Sequence, residues 1–271
     1  MSVRQVRQAM DGTARLAWLV ASLGALVSGC ARSVDQPLEE TIEQTYQVDP
    51  TASISIRNLD GSIQIYGSAS PELKVQVIKK AYTAERLNGI SVDVSAQPDA
   101  VSIEANFPPR KTWAWSDRSG TVDCIIVAPQ ASRISRLDLA NGEVLVAGIR
   151  GGEVHANLGN GRMLGRNCFG DLHCTVKTGT LTLIYDWWDG RKFFVDAAIE
   201  DGNAWAVLPG DASFRLVAET VNGKIANDFA AQEQRRGTAT NKIDIVAGEA
   251  AQADIKIQAT DGNIKITEAN P

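Results

Sequence analysis

Leu137-Asp138-Leu139-Ala140-Asn141-Gly142-Glu143-Val144-Leu145-Val146 is the stretch on which the reading of this chain turns. Apolar and polar residues alternate on both sides of Asn141-Gly142, the period-two pattern of a strand with one buried face. Related arrangements return at Asn160-Gly161, Thr178-Gly179, Asp201-Gly202, Asn222-Gly223 and Asp261-Gly262, and an earlier copy stands at Asp60-Gly61. From Gly142 onward the glycine spacings are 19, 18, 23, 21 and 39, so the last interval is close to two repeats. Taken locally, Asn-Gly and Asp-Gly between strands suggest type I′ hairpins and an antiparallel β-sandwich. The period of roughly 20 residues favours a different all-β fold, a β-solenoid whose repeats are coils, each stacked on the last. The glycines would then gather at one corner, where positive φ is needed.

That register makes a prediction about the interior. Positions five and three before each glycine should point inward: Leu137 and Leu139, Ala156 and Leu158, Cys174 and Val176, Ala197 and Ile199, Ala218 and Thr220, Ile257 and Ala259. The column is mostly small or aliphatic, as a narrow interior requires. Thr220 is the exception, and it is expected to mark a bulge.

Outward from the repeat (residues 131–271), residues 45–130 are less regular. Ser53–Ile56, Ser62–Tyr66, Leu73–Val77, Ile90–Val94 and Val101–Ala105 alternate as strands. Lys79 to Asn88 reads as a helical turn or a loop across the end. The section is expected to form a β-sheet cap over the first coil, which would otherwise expose its edge.

The N-terminus carries a different signal. Arg4, Arg7 and Arg15 precede the short apolar run Leu16–Val27, too short to span a bilayer, which takes roughly 20 residues, and sized for a signal peptide. Val27-Ser28-Gly29-Cys30 resembles the bacterial lipobox, which makes Cys30 the expected lipid acceptor and residues 1–29 the cleaved signal. Ala31, where an inner-membrane retention signal would usually have Asp, implies the outer membrane. Polar residues 30–44 read as a tether. Removing residues 1–29 takes away three Arg and one Asp, so the net charge of −5 becomes −7. An acidic chain argues against a nucleic-acid partner. Cys124, Cys168 and Cys174 remain. Either Cys168 and Cys174 form a local disulfide, or the thiols are free and buried.

Three segments carry a family resemblance. They are Ile54–Gly67 (ISIRNLDGSIQIYG), Glu85–Val92 (ERLNGISV), and Leu208–Leu216 (LPGDASFRL) running into Glu219–Ile225 (ETVNGKI). In order and spacing they resemble a family of bacterial repetitive β-strand proteins described as putative adhesins, related to autotransporter adhesin head domains. The resemblance spans nearly everything from residue 45 onward. It implies a β-helix-like fold, an envelope location and no catalytic motif. The aromatic insertions around Trp113 and Trp187 depart from it.

Chemistry is sparse elsewhere. No Walker loop, HExxH, G-x-S-x-G or paired CxxC occurs, and no cofactor is implied. His155, His173 and Asp196 each lie six before a repeat glycine, which would place them outward in one column. Two imidazoles and a carboxylate suit zinc with an open position; an exposed polar ladder extended by Arg136 is the plainer reading. The tryptophans are the other candidates. Trp113, Trp115, Trp187, Trp188 and Trp205 would bind a glycan or a protein if exposed, or pack on each other where a coil bulges. The leading functional reading is a non-enzymatic, lipid-anchored envelope protein presenting an adhesin-like binding or structural surface. The alternative is a carbohydrate-binding or polysaccharide-active protein using the 185–205 region, with Asp186, Asp189, Glu200 and Asp201 as candidate carboxylates.

Overall fold

The computed structural model describes residues 36–109, 120–229, 241–248 and 251–269. Cys30, Trp113, Trp115 and the expected signal segment lie outside them. In chain order the elements are β1 (Leu38–Gln47), β2 (Ser53–Ser68), β3 (Glu72–Ala81), α1 (Ala84–Gly89), β4 (Ser91–Ala96), β5 (Ala100–Asn106), β6 (Thr121–Pro129), β7 (Arg133–Ala147) and β8 (Val154–Arg166). They continue with β9 (Leu172–Ile184), β10 (Phe193–Pro209), β11 (Phe214–Asn222), β12 (Ile225–Asn227), β13 (Lys242–Ala247), β14 (Ala253–Asp261) and β15 (Ile264–Ala269). The described chain is thus all-β apart from one short helix. Its strands join in one large mixed sheet that does not close.

The repeat segments pair in parallel and in register. β2 pairs with β7, β7 with β8, β8 with β9 and β9 with β10, so that Gly61, Gly142, Gly161, Gly179 and Gly202 face one another in turn. The dipeptides at these five positions therefore sit inside long strands and not at hairpin loops, while Asn222-Gly223 and Asp261-Gly262 join consecutive strands that pair in parallel with each other's counterparts. Each of the five stacked glycines has φ between +130° and +136°, a conformation a side chain resists. The stack itself adds a second requirement: a Cβ on Gly161 would lie 1.8 Å from the Gly142 carbonyl oxygen. Beside the glycines, Asn160 Nδ2 donates to Asn141 Oδ1 at 3.0 Å, and Asn141 Nδ2 donates to Asp60 Oδ1 at 2.9 Å.

The inward column is buried at every expected position, from Leu137 and Leu139 to Ile257 and Ala259. Full burial of each Leu or Ile contributes on the order of 1.5–3 kcal/mol. Thr220 corrects its expectation. It is buried without a bulge, because its hydroxyl donates to the Gly262 carbonyl at 2.7 Å. The register shift lies instead between Ile134 and Leu137, where Ser135 and Arg136 together oppose His155.

Two boundaries also differ from expectation. β2 carries Gly61 and belongs to the parallel stack, from inside the segment read as an N-terminal β section and cap. β5 pairs with the first half of β2, and β6 with its second half. The strand β1 falls largely within the stretch read as a tether. Polar alternation there gives no apolar signal, but β1 pairs antiparallel with β3 along its length, and Lys79, itself buried, reaches Glu40 at 2.8 Å. Between Lys79 and Asn88 the chain first completes β3 and then turns into α1, whose cap Thr83 accepts from the Arg86 N–H.

The end of the chain departs furthest from a simple succession. β14 and β15 do not stack beyond β11 and β12. They pair on one side with the two halves of β10 and on the other with β11 and β12. β13 then lies antiparallel along the outer side of β11. The 39-residue interval is therefore the detour that brings the last repeat back between the two before it.

Candidate functional site

The aromatic insertion after β9 divides between core and surface. Tyr185 is fully buried and donates its hydroxyl to the Cys168 carbonyl at 3.0 Å. Around it Phe169, Phe193 and Trp188 make ring contacts of 5.3–5.7 Å, and Phe214 follows Trp188 at 5.9 Å. Trp188 is thus largely packing, with its indole N–H buried and without a hydrogen-bond partner among the described residues.

Trp187 and Trp205 are exposed, by 40% and 45%. Each carries a cation over its ring, Arg150 at 4.5 Å from Trp187 and Lys265 Nζ at 5.1 Å from Trp205. Trp205 also donates its indole N–H to Thr267 at 3.0 Å. Such pairs contribute about 0.5–1 kcal/mol at exposed sites, and each covers one face of its ring. Neither cation was legible in the sequence, because Arg150 lies 37 residues and Lys265 60 residues from its ring.

The histidine column forms in part as expected. His155 and His173 are opposite one another on β8 and β9, with rings stacked at 4.7 Å and inclined by 6°. Their third partner is Glu153 and not Asp196. Glu153 Oε1 lies 2.6 Å from His155 Nε2 and 4.0 Å from His173 Nε2, while Oε2 meets Arg133 at 2.8 Å. The His155 hydrogen bond, with Arg133 beside it, holds the Glu153 carboxyl below its usual range. Asp196 does stand opposite His173, on β10. Its carboxylate, however, is 3.8 Å from Lys256 on the next strand. Glu153 was findable in the sequence, since residues two apart on an extended chain share a face.

The carboxylates considered for hydrolysis do not converge. Asp186 is engaged by Arg166 and Asn167, each at 2.7 Å, which keeps its carboxyl low, and Asp189 meets Arg191 at 3.3 Å. Glu200 and Asp201 lie apart from that loop, beside Gly202 inside β10. Nor does one prominent surface cavity, of about 560 Å³, involve them. It is lined by residues of mixed sign, among them Arg57, Glu104, Asp138 and Lys177.

The remaining thiols are free and buried, so Cys168 and Cys174 are not bridged. The Cys168 thiol is directed at the Val146 carbonyl, 3.4 Å away. Burial pushes the thiols of Cys124 and Cys168 up to about 12 and raises that of Cys174 as well.

No protein-family model and no curated protein matches the chain. Solved structures do. A putative cell adhesion protein from Clostridium sporogenes ATCC 15579 is 16% identical, covering 85% of this chain and 100% of its own, with a TM-score of 0.51. A putative adhesin from Bacteroides fragilis NCTC 9343 is 13% identical over 85% of this chain and 99% of its own, with a TM-score of 0.29. A putative lipid binding protein from Parabacteroides distasonis ATCC 8503 is 9% identical over 84% and 96%, with a TM-score of 0.25. At 16% identity the likeness to the clostridial protein is one of fold.

Proposed function

We propose that this chain is a non-enzymatic envelope lipoprotein, held in the outer membrane by a lipid on Cys30, whose repeats form a β-solenoid used as an adhesin-like binding or structural surface. The observation that carries this reading is the parallel register of five repeat strands through one column of glycines. Such a stack builds a surface and needs no reaction centre. The candidate carboxylates support it, since Asp186 and Asp189 are held in ion pairs with Arg166 and Arg191 while Glu200 and Asp201 lie apart from them in β10. With β1 beginning at Leu38, the residues left as a tether are 31–37. That length reaches about 25 Å when fully extended.

Protease added to intact cells tests the display. Cleavage that needs permeabilised cells overturns surface presentation, and a Cys30→Ser chain that still partitions with membranes overturns the anchor. The carbohydrate reading keeps one supporting observation, the exposure of Trp187 and Trp205. Screening against a glycan array, with Trp187→Ala and Trp205→Ala as controls, decides it. Under the proposal no glycan signal depends on either ring.

A further inference from the structure

We propose that Glu153, His155 and His173 form a surface site for a divalent transition metal of the zinc class, open on its solvent side. The register of β8 against β9 sets the two imidazoles directly opposite each other. Their rings lie within 6° of parallel, and one oxygen of Glu153 faces the Nε2 atoms of both. The three donor atoms all lie within 4.8 Å of one another. In a tetrahedral site with metal–ligand bonds of about 2.0–2.1 Å, neighbouring ligand atoms are about 3.3 Å apart. The Glu153 contacts of 2.6 and 4.0 Å bracket that spacing. A small shift of the half-buried Glu153 side chain evens these contacts, and the stacked imidazoles turn about their side-chain bonds until both ring planes meet at the ion, a movement of side chains and not of strands.

The donor set decides the class of ion. Two imidazole nitrogens and one carboxylate oxygen suit zinc, copper or nickel, whereas magnesium and calcium take oxygen. Arg133 holds the other Glu153 oxygen at 2.8 Å, as outer partners of metal ligands commonly do. Its positive charge, with that of Lys256 one strand beyond Asp196, lowers affinity and leaves the ion easily exchanged. Asp196 is held by Lys256, so the remaining coordination positions face water or a partner's ligand.

The test uses the full-length, tag-free protein in detergent, stripped of metal with a chelator. Calorimetric titration with zinc chloride is expected to show saturable one-to-one binding, and magnesium chloride none. Cobalt(II) is expected to give the visible bands of a nitrogen–oxygen site without a thiolate charge-transfer band. His155→Ala and His173→Ala should each weaken zinc binding at least tenfold, and Glu153→Gln several-fold, with circular dichroism unchanged. Asp196→Asn should leave it within twofold. Absence of one-to-one binding overturns the proposal. So does binding that survives the His155→Ala/His173→Ala double substitution, a thiolate band with cobalt, or a loss in Asp196→Asn equal to that in His173→Ala.

Discussion

At the scale of single residues, the repeat depends on atoms that are missing. Gly161 combines a φ of +136° with a neighbouring carbonyl oxygen only 1.8 Å from where a Cβ would sit. Gly161→Ala therefore strains the backbone and pushes two strands apart. The unfolding free energy should fall by about 3 kcal/mol in urea denaturation. Gly151→Ala is the matched control, because its Cβ would meet only Ala131, at 3.6 Å, and its effect should stay within about 0.5 kcal/mol. The glycine column and the inward pairs before it were legible from spacing alone, since a period of two and a repeated φ-positive residue both leave traces in sequence. The third member of the histidine cluster was legible in principle, though it stands outside the repeat column. Glu153 comes from the same strand edge, two residues before His155, whereas the column pointed to Asp196. The cations over Trp187 and Trp205 left no trace, because nothing in a local pattern encodes a contact made across the stack.

The elements show where spacing misleads. A 39-residue interval counts as nearly two repeats whether the last one follows the stack or is inserted into it, and the chain does the second. β14 and β15 supply the partner for β10 on one side and for β11 and β12 on the other. Removing residues 253–271 therefore opens two ladders at once, takes away the buried Ile255, Ile257, Ile264 and Ile266, and uncovers the core residues beside them, Val195 and Ala197 on β10 and Leu216 and Ala218 on β11. The truncated chain should lose cooperative unfolding and bind a hydrophobic dye, as judged by a denaturant melt and dye fluorescence. A sharp melt near that of the intact chain would show that β10 and β11 can pair directly. The strand β1 was missed for the opposite reason. It is an edge strand made largely of polar residues, and its partner β3 and the buried Lys79 define it more than its own composition does.

At the scale of the whole molecule, Cys124, Cys168 and Cys174 report on a single core. All three belong to one buried hydrophobic cluster, so none should react with a thiol reagent at neutral pH until the core opens. All three should then appear together across a urea series, and one thiol reacting early would locate a region that opens by itself. The same burial sets a pH dependence. Folding keeps the thiols of Cys124 and Cys168 protonated up to about 12, against an ordinary value of 9.0. Above pH 9 the unfolded chain loses protons that the folded chain retains, so stability falls with rising pH. This contribution is complete below pH 9 and is lost as pH climbs towards 12, which urea melts between pH 7 and 11 would record. The inserted repeat, finally, separates the order of synthesis from the order of stacking. A ribosome makes β11 before β14, yet β11 finds its inner neighbour only when residues 253–261 arrive. Closure of this end of the protein is therefore a late event by construction. If the chain is threaded through a membrane before it folds, β11 emerges ahead of the segment that locks it in place.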